Sequence, residues 1–113
     1  MDLSDKYECK LATYRKKHLD ELKAVLINFA SYMSAVKMCG NHLLVKAGYI
    51  HIEPNGIIAI DQKGGERKIK KLQQTRLYLF PNKENRTVYV LTIGNKNSQQ
   101  ADIKWCGNYI KKL

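Results

Sequence analysis

The sequence predicts an α+β fold in which an N-terminal strand and a long helix pack on a mostly antiparallel sheet, with a short helix at the C-terminus. Three observations lead there. A helix-period apolar stripe occupies the first third, period-two segments run from Tyr49 to Ile93, and a second helix-period segment ends the chain. With 113 residues, 44% hydrophobic and 27% charged, the chain is expected to form one domain, 1–113, around one modest core.

Each element has its own signature. From Lys6 to Thr13, Tyr7, Cys9 and Leu11 alternate with Glu8, Lys10 and Ala12, the pattern of a half-buried strand, with a short helix as the alternative. Leu19, Leu22, Leu26, Phe29, Met33 and Val36 then step by three or four. This stripe predicts a helix over about His18–Cys39, begun by Asp20 and Glu21 and stopped at Gly40-Asn41. Such a stripe also suits a coiled-coil seam, but packing on a sheet is the expected use. His42–Ala47 is compatible with a second short helix.

The period changes to two after Gly48. Tyr49–Ile52 and Ile57–Ile60 flank Pro54-Asn55-Gly56, and Thr75–Phe80 and Thr87–Ile93 flank a Pro81–Asn85 turn. A last helix is expected from about Ser98 to Lys111, with Asn97 and Gln100 in capping-box spacing and Ile103, Cys106, Ile110 and Leu113 facing inward. The meander is expected to be covered by helices on one side.

Charge narrows the function classes. Twenty Lys and Arg oppose ten Asp and Glu, a formal net charge of +10, and such a field attracts phosphate polymers. No apolar run is long enough for a membrane-spanning helix, and the N-terminus lacks a signal core, so a cytoplasmic protein is expected. Cys9, Cys39 and Cys106 are odd in number and far apart, as expected of reduced core thiols, and no Cys or His spacing suggests a metal. No cofactor is expected.

The densest charge lies between Gln62 and Lys71, where Lys63, Arg67, Lys68, Lys70 and Lys71 oppose Glu66 alone around Gly64-Gly65. This cluster is a candidate RNA phosphate seat, against the plainer reading of a solvated loop. In Thr75–Phe80, Arg76 and Tyr78 share a face opposite Leu77 and Leu79. With the leucines inside, Arg76 and Tyr78 are left on an open sheet surface, able to hold a phosphate and stack a base. The plainer reading is an arginine paired to a carboxylate. Lys96 precedes the last helix, His51 is the one histidine in a strand pattern, and Asp102 lies on the last helix. His51 and Asp102 are the candidate proton carriers, against a structural histidine and an ordinary surface carboxylate.

Thr75-Arg76-Leu77-Tyr78-Leu79-Phe80, a polar turn, Val88–Ser98 and a terminal helix together resemble the RelE/HigB-type toxins of bacterial toxin–antitoxin systems. The resemblance covers roughly Arg67 to Leu113. It implies a RelE-like fold and an mRNA endoribonuclease, acting usually in the ribosome by 2′-hydroxyl attack on the adjacent phosphate. Arg76 would match the family's strand arginine, Lys96 the basic residue after the Gly-ended strand, and Lys68, Lys70 and Lys71 its strand lysines. Implied partners are mRNA, the ribosome and a cognate antitoxin, with no membrane, for a monomer or weak dimer. The chain departs from the pattern in carrying Asp102 or a neighbour where RelE has a tyrosine, and in its Lys63 loop and Tyr49–Ile60 strands. Alternatives are a non-catalytic RNA- or protein-binding regulator, including a gyrase poison of ParE type.

Overall fold

The computed structural model describes residues 1–40, 46–63 and 74–113. Among them the order is β1 (Asp2–Leu3), α1 (Asp5–Lys17), α2 (Leu19–Cys39), β2 (Ile50–Ile52), β3 (Ile58–Ile60), β4 (Thr75–Asn82), β5 (Thr87–Asn95) and α3 (Gln99–Ile110). The five strands form one mixed sheet in the order β1-β5-β4-β3-β2. Only β1, which pairs with β5, is parallel; the other pairs are antiparallel. The fold class is therefore α+β.

The N-terminal strand lies earlier than the alternation suggested, and Lys6–Thr13 is helical. Ser4 caps α1, its Oγ accepting from Tyr7 N at 3.0 Å, while Asp5 and Glu8 open the helix and Arg15, Lys16 and Lys17 close it. Tyr7, Leu11 and Tyr14, spaced four and three, form the face that reaches the core, whereas Cys9 is exposed. The two-residue period over Tyr7, Cys9 and Leu11 was too short to distinguish these outcomes. The expectation that Cys9 is a core thiol fails with it.

Helix α2 follows the predicted stripe. Leu22, Val25 and Tyr32 are fully packed, with Leu26, Phe29, Met33 and Val36 around them, while Leu19 is exposed. Gly40 ends the helix at φ 69°, its N–H donating to Val36 O at 2.9 Å. The short helix suggested for His42–Ala47 falls largely outside the described residues.

Two apolar clusters enclose the sheet. On one face Ile58, Ile60, Leu77, Leu79, Val90 and Ile93 meet α1 and α2. On the other Ile57, Ala59, Tyr78 and Leu91 meet Cys106 of α3, with Phe80, Tyr89, Ile103, Trp105 and Tyr109 around them. Coverage on one side is thus corrected to coverage on both, because α3 folds back over β4 and β5. A register shift between β4 and β5 assists. Tyr78 pairs with Thr92 but Leu79 with Val90, so Leu91 is the extra residue of a bulge and joins the α3 side.

The start of α3 is organised two residues before the predicted cap. A 3₁₀ turn, Lys96–Ser98, precedes the helix, and Asn95 and Ser98 cap one another reciprocally. The Asn97–Gln100 box is therefore not the one used. The insertion of a 3₁₀ turn moves the capping residues upstream.

Candidate functional site

Strand direction assembles the candidate residues. Because β4 is antiparallel to both β3 and β5, the beginning of β4 lies beside the ends of its two neighbours. Lys63 follows the end of β3, Lys96 follows the end of β5, and Arg76 is the second residue of β4. The Lys96 N–H donates to Gln74 O at 3.1 Å, which ties the 3₁₀ turn to that end. Two strand spacings, about 10 Å, separate β3 from β5 here. Lys63 and Lys96 are exposed.

Register also settles which face these residues share. His51 opposes Ala59, Ala59 opposes Tyr78, and Arg76 lies two residues before Tyr78, so His51 and Arg76 both stand on the α3 side. His51 Nε2 lies 2.6 Å from Asp61 Oδ2, and its side chain is 27% exposed. Asp61 is itself buried, its other oxygen accepting from Lys63 N at 2.8 Å. Its backbone carbonyl accepts from Asn28 of α2 at 2.8 Å, and the Lys63 Nζ is 3.9 Å from its carboxylate. The imidazole is thus oriented by a buried carboxylate while still meeting solvent.

Arg76 is not a free cation on an open surface. Its Nη1 is 3.6 Å from Glu53 Oε1, and its side chain is 19% exposed. That contact exceeds the 2.7–2.9 Å of a strong charge-assisted hydrogen bond, and it engages one of the guanidinium's nitrogens. Tyr78 is wholly buried beneath α3. This corrects its placement as an exposed stacking residue, and burial pushes its hydroxyl pKa strongly upward. Its hydroxyl and that of Thr92, the opposite residue, have no hydrogen-bond partner among the described residues.

Asp102 differs from both expectations for it. It is neither a surface carboxylate nor an accessible proton carrier: it is buried, accepts from Ser98 Oγ at 2.7 Å and pairs with Lys10 of α1 at 3.3 Å. Its charge helps raise the pKa of Cys106, which burial and Asp102 together push up to about 12. Arg67, Lys68, Lys70 and Lys71 lie outside the described residues.

The residues missed by sequence reading are the carboxylates. Asp61 directly follows a buried strand, and Glu53 lies two residues from His51 on the same strand side; both patterns are visible but ordinary. Their pairing with His51 and Arg76 arises only from register. No described group of His, Cys, Asp and Glu has the arrangement of a metal site. No described helix is long and apolar enough to cross a membrane. No family model, curated protein or solved structure matches the chain.

Proposed function

We propose that the chain is an RNA-cleaving protein of RelE/HigB toxin type that uses His51 as its proton carrier. The observation that carries this reading is the His51–Asp61 pair on the sheet face and near the sheet end shared with Arg76. Asp61 holds the imidazole in place through the 2.6 Å contact to its Nε2. His51 takes the proton of a ribose 2′-hydroxyl as its oxygen bonds to phosphorus; the P–O5′ bond breaks, the 5′-oxygen takes a proton from water, and the imidazolium gives its proton to the hydroxide so formed. Arg76, Lys63 and Lys96 offset the charge that grows on the phosphate oxygens. The net charge of +10 supports a polyanionic substrate. The sequence motifs Thr75–Phe80 and Val88–Ser98 carry the toxin resemblance, and with it the proposal of mRNA on the ribosome, a cognate antitoxin and a cytoplasmic place of action.

The test is cleavage of a defined RNA by purified protein, followed by identification of the product ends. A 2′,3′-cyclic phosphate is expected, with cleavage lost in His51→Ala and Arg76→Ala while circular dichroism stays unchanged. Undiminished cleavage by folded His51→Ala overturns the mechanism. The Arg76–Glu53 pair favours a second reading, an RNA-holding regulator without chemistry, for which salt-sensitive binding with intact RNA is the signature.

A further inference from the structure

A separate surface lies on the outer side of α3. Trp105 and Tyr109 are one helical turn apart, and their rings stack with centroids 5.0 Å apart and 24° between planes. Lys6 of α1 places its Nζ 4.5 Å from the Trp105 ring centroid. Both rings are half-buried, so their inner edges complete the α3 cluster while part of each remains in solvent. Lys104, Asn108, Lys111 and Lys112 are exposed on the same helix and the turn that follows it. None of these residues belongs to the His51–Arg76 group.

We infer that the Trp105–Tyr109 stack, with Lys6 and the α3 lysines, is a base-stacking subsite for single-stranded RNA. This rests on RNA being the ligand but not on its cleavage. An aromatic pair offers a flat surface that any base can stack on, and flanking ammonium groups meet the backbone phosphates. Apolar packing alone explains the buried edges of the rings. It does not call for a cation over the half-buried indole or for a lysine-rich rim. Charge complementarity selects a polyanion, and the stacked rings select one that carries bases.

The chain contains one tryptophan, so Trp105 reports directly on its own surface. The experiment titrates His51→Ala protein, which is not to cleave, with an oligouridylate while following tryptophan emission. Inorganic polyphosphate and polyglutamate of equal charge serve as the two comparison ligands. Saturable quenching by the oligouridylate, with little change for the other two, is expected. Tyr109→Leu, which keeps apolar bulk but removes the ring, is expected to weaken oligouridylate binding roughly five-fold or more without altering polyphosphate binding. Tyr109→Phe is expected to bind as the parent does, which also shows that the packing tolerates the change. Unchanged emission at saturating oligouridylate, equal quenching by polyglutamate, or equal binding by the Leu and Phe variants overturns the subsite. Loss of cleavage in His51→Ala with these results intact separates the two readings.

Discussion

Gly94 of β5 lies so close to Asp102 of α3 that a Cβ on the glycine would overlap the carboxylate Oδ2 and stand 2.7 Å from Ser98 Oγ. The missing side chain is what lets a buried carboxylate reach Ser98 and Lys10 and join α3 to α1. Gly94→Ala is therefore expected to lower the unfolding free energy by about 1–3 kcal/mol, as overpacking does. Asp102→Ala alone loses the link to Lys10, and combined with Gly94→Ala it should cost less than the sum. Urea unfolding of the three variants measures this, and strict additivity would show that the two residues do not constrain one another.

Ser4 provides a second, independent fastening. Its Oγ accepts from Tyr7 N and donates to Leu91 O, while its own N–H donates to Val90 O at 3.0 Å. One buried hydroxyl thus caps α1 and holds the β1 end against β5. Ser4→Ala is expected to destabilise by about 0.5–2 kcal/mol, the usual cost of a lost cap. Hydrogen exchange should quicken at Tyr7 N, and an unchanged rate there would exclude the capping role.

The parts of the fold legible in the sequence were those with long or well-punctuated periods. The α2 stripe, the Gly40 stop and four strands between Tyr49 and Ile93 lie within a few residues of their expected places. Lys6–Thr13 misled because three apolar residues fit either period. The open face expected for Arg76 and Tyr78 depended on what covers the sheet, and α3 packing against Tyr78 is a long-range fact that no local pattern carries. For the same reason His51 and Arg76 were nameable as candidates, but their carboxylate partners were not. Asp61 and Glu53 acquire meaning only when β2, β3 and β4 are in register.

Asp61 is a positioning residue in the proposed chemistry, and its replacement separates orientation from binding. Asp61→Asn retains the shape but removes the charge beside the imidazole, so kcat for RNA cleavage should fall on the order of a hundred-fold with KM little changed. An equal rise in KM would instead indicate a disturbed Lys63 turn, whose backbone N–H bonds to Asp61.

Burial makes the fold sensitive to alkali. The Tyr32 hydroxyl is buried with no hydrogen-bond partner among the described residues and its pKa is pushed up to about 12, and the Cys106 thiol likewise to about 12. Both hold their protons more firmly folded than unfolded. Their contribution is fully present below the unfolded values, 10.0 and 9.0. It is lost as pH rises through the folded ones. The urea midpoint should decline steadily from pH 9 to 12, and Tyr32→Phe should flatten that decline. At pH 7 the same substitution should cost little, since it removes a hydroxyl that makes no hydrogen bond to the described residues. A midpoint constant to pH 11 would contradict the shifts.

In the proposed RNA complex, Glu53 would compete with phosphate for Arg76. Its carboxylate lies 3.6 Å from the guanidinium, where a phosphodiester oxygen would lie in the proposed complex. Glu53→Gln keeps the side-chain length but removes the negative charge, so Arg76 is free to form a full contact with an RNA backbone. Affinity for a single-stranded RNA should rise several-fold at low salt, and the slope of log K against log salt should steepen by about 0.7, the increment for one more phosphate on a single strand. Arg76→Ala should move both quantities the other way, and in the Glu53→Gln, Arg76→Ala double variant the gain should vanish. If Glu53→Gln changes neither affinity nor slope, the pair is a structural tie between β4 and the residue that follows β2, and Arg76 does not hold the RNA.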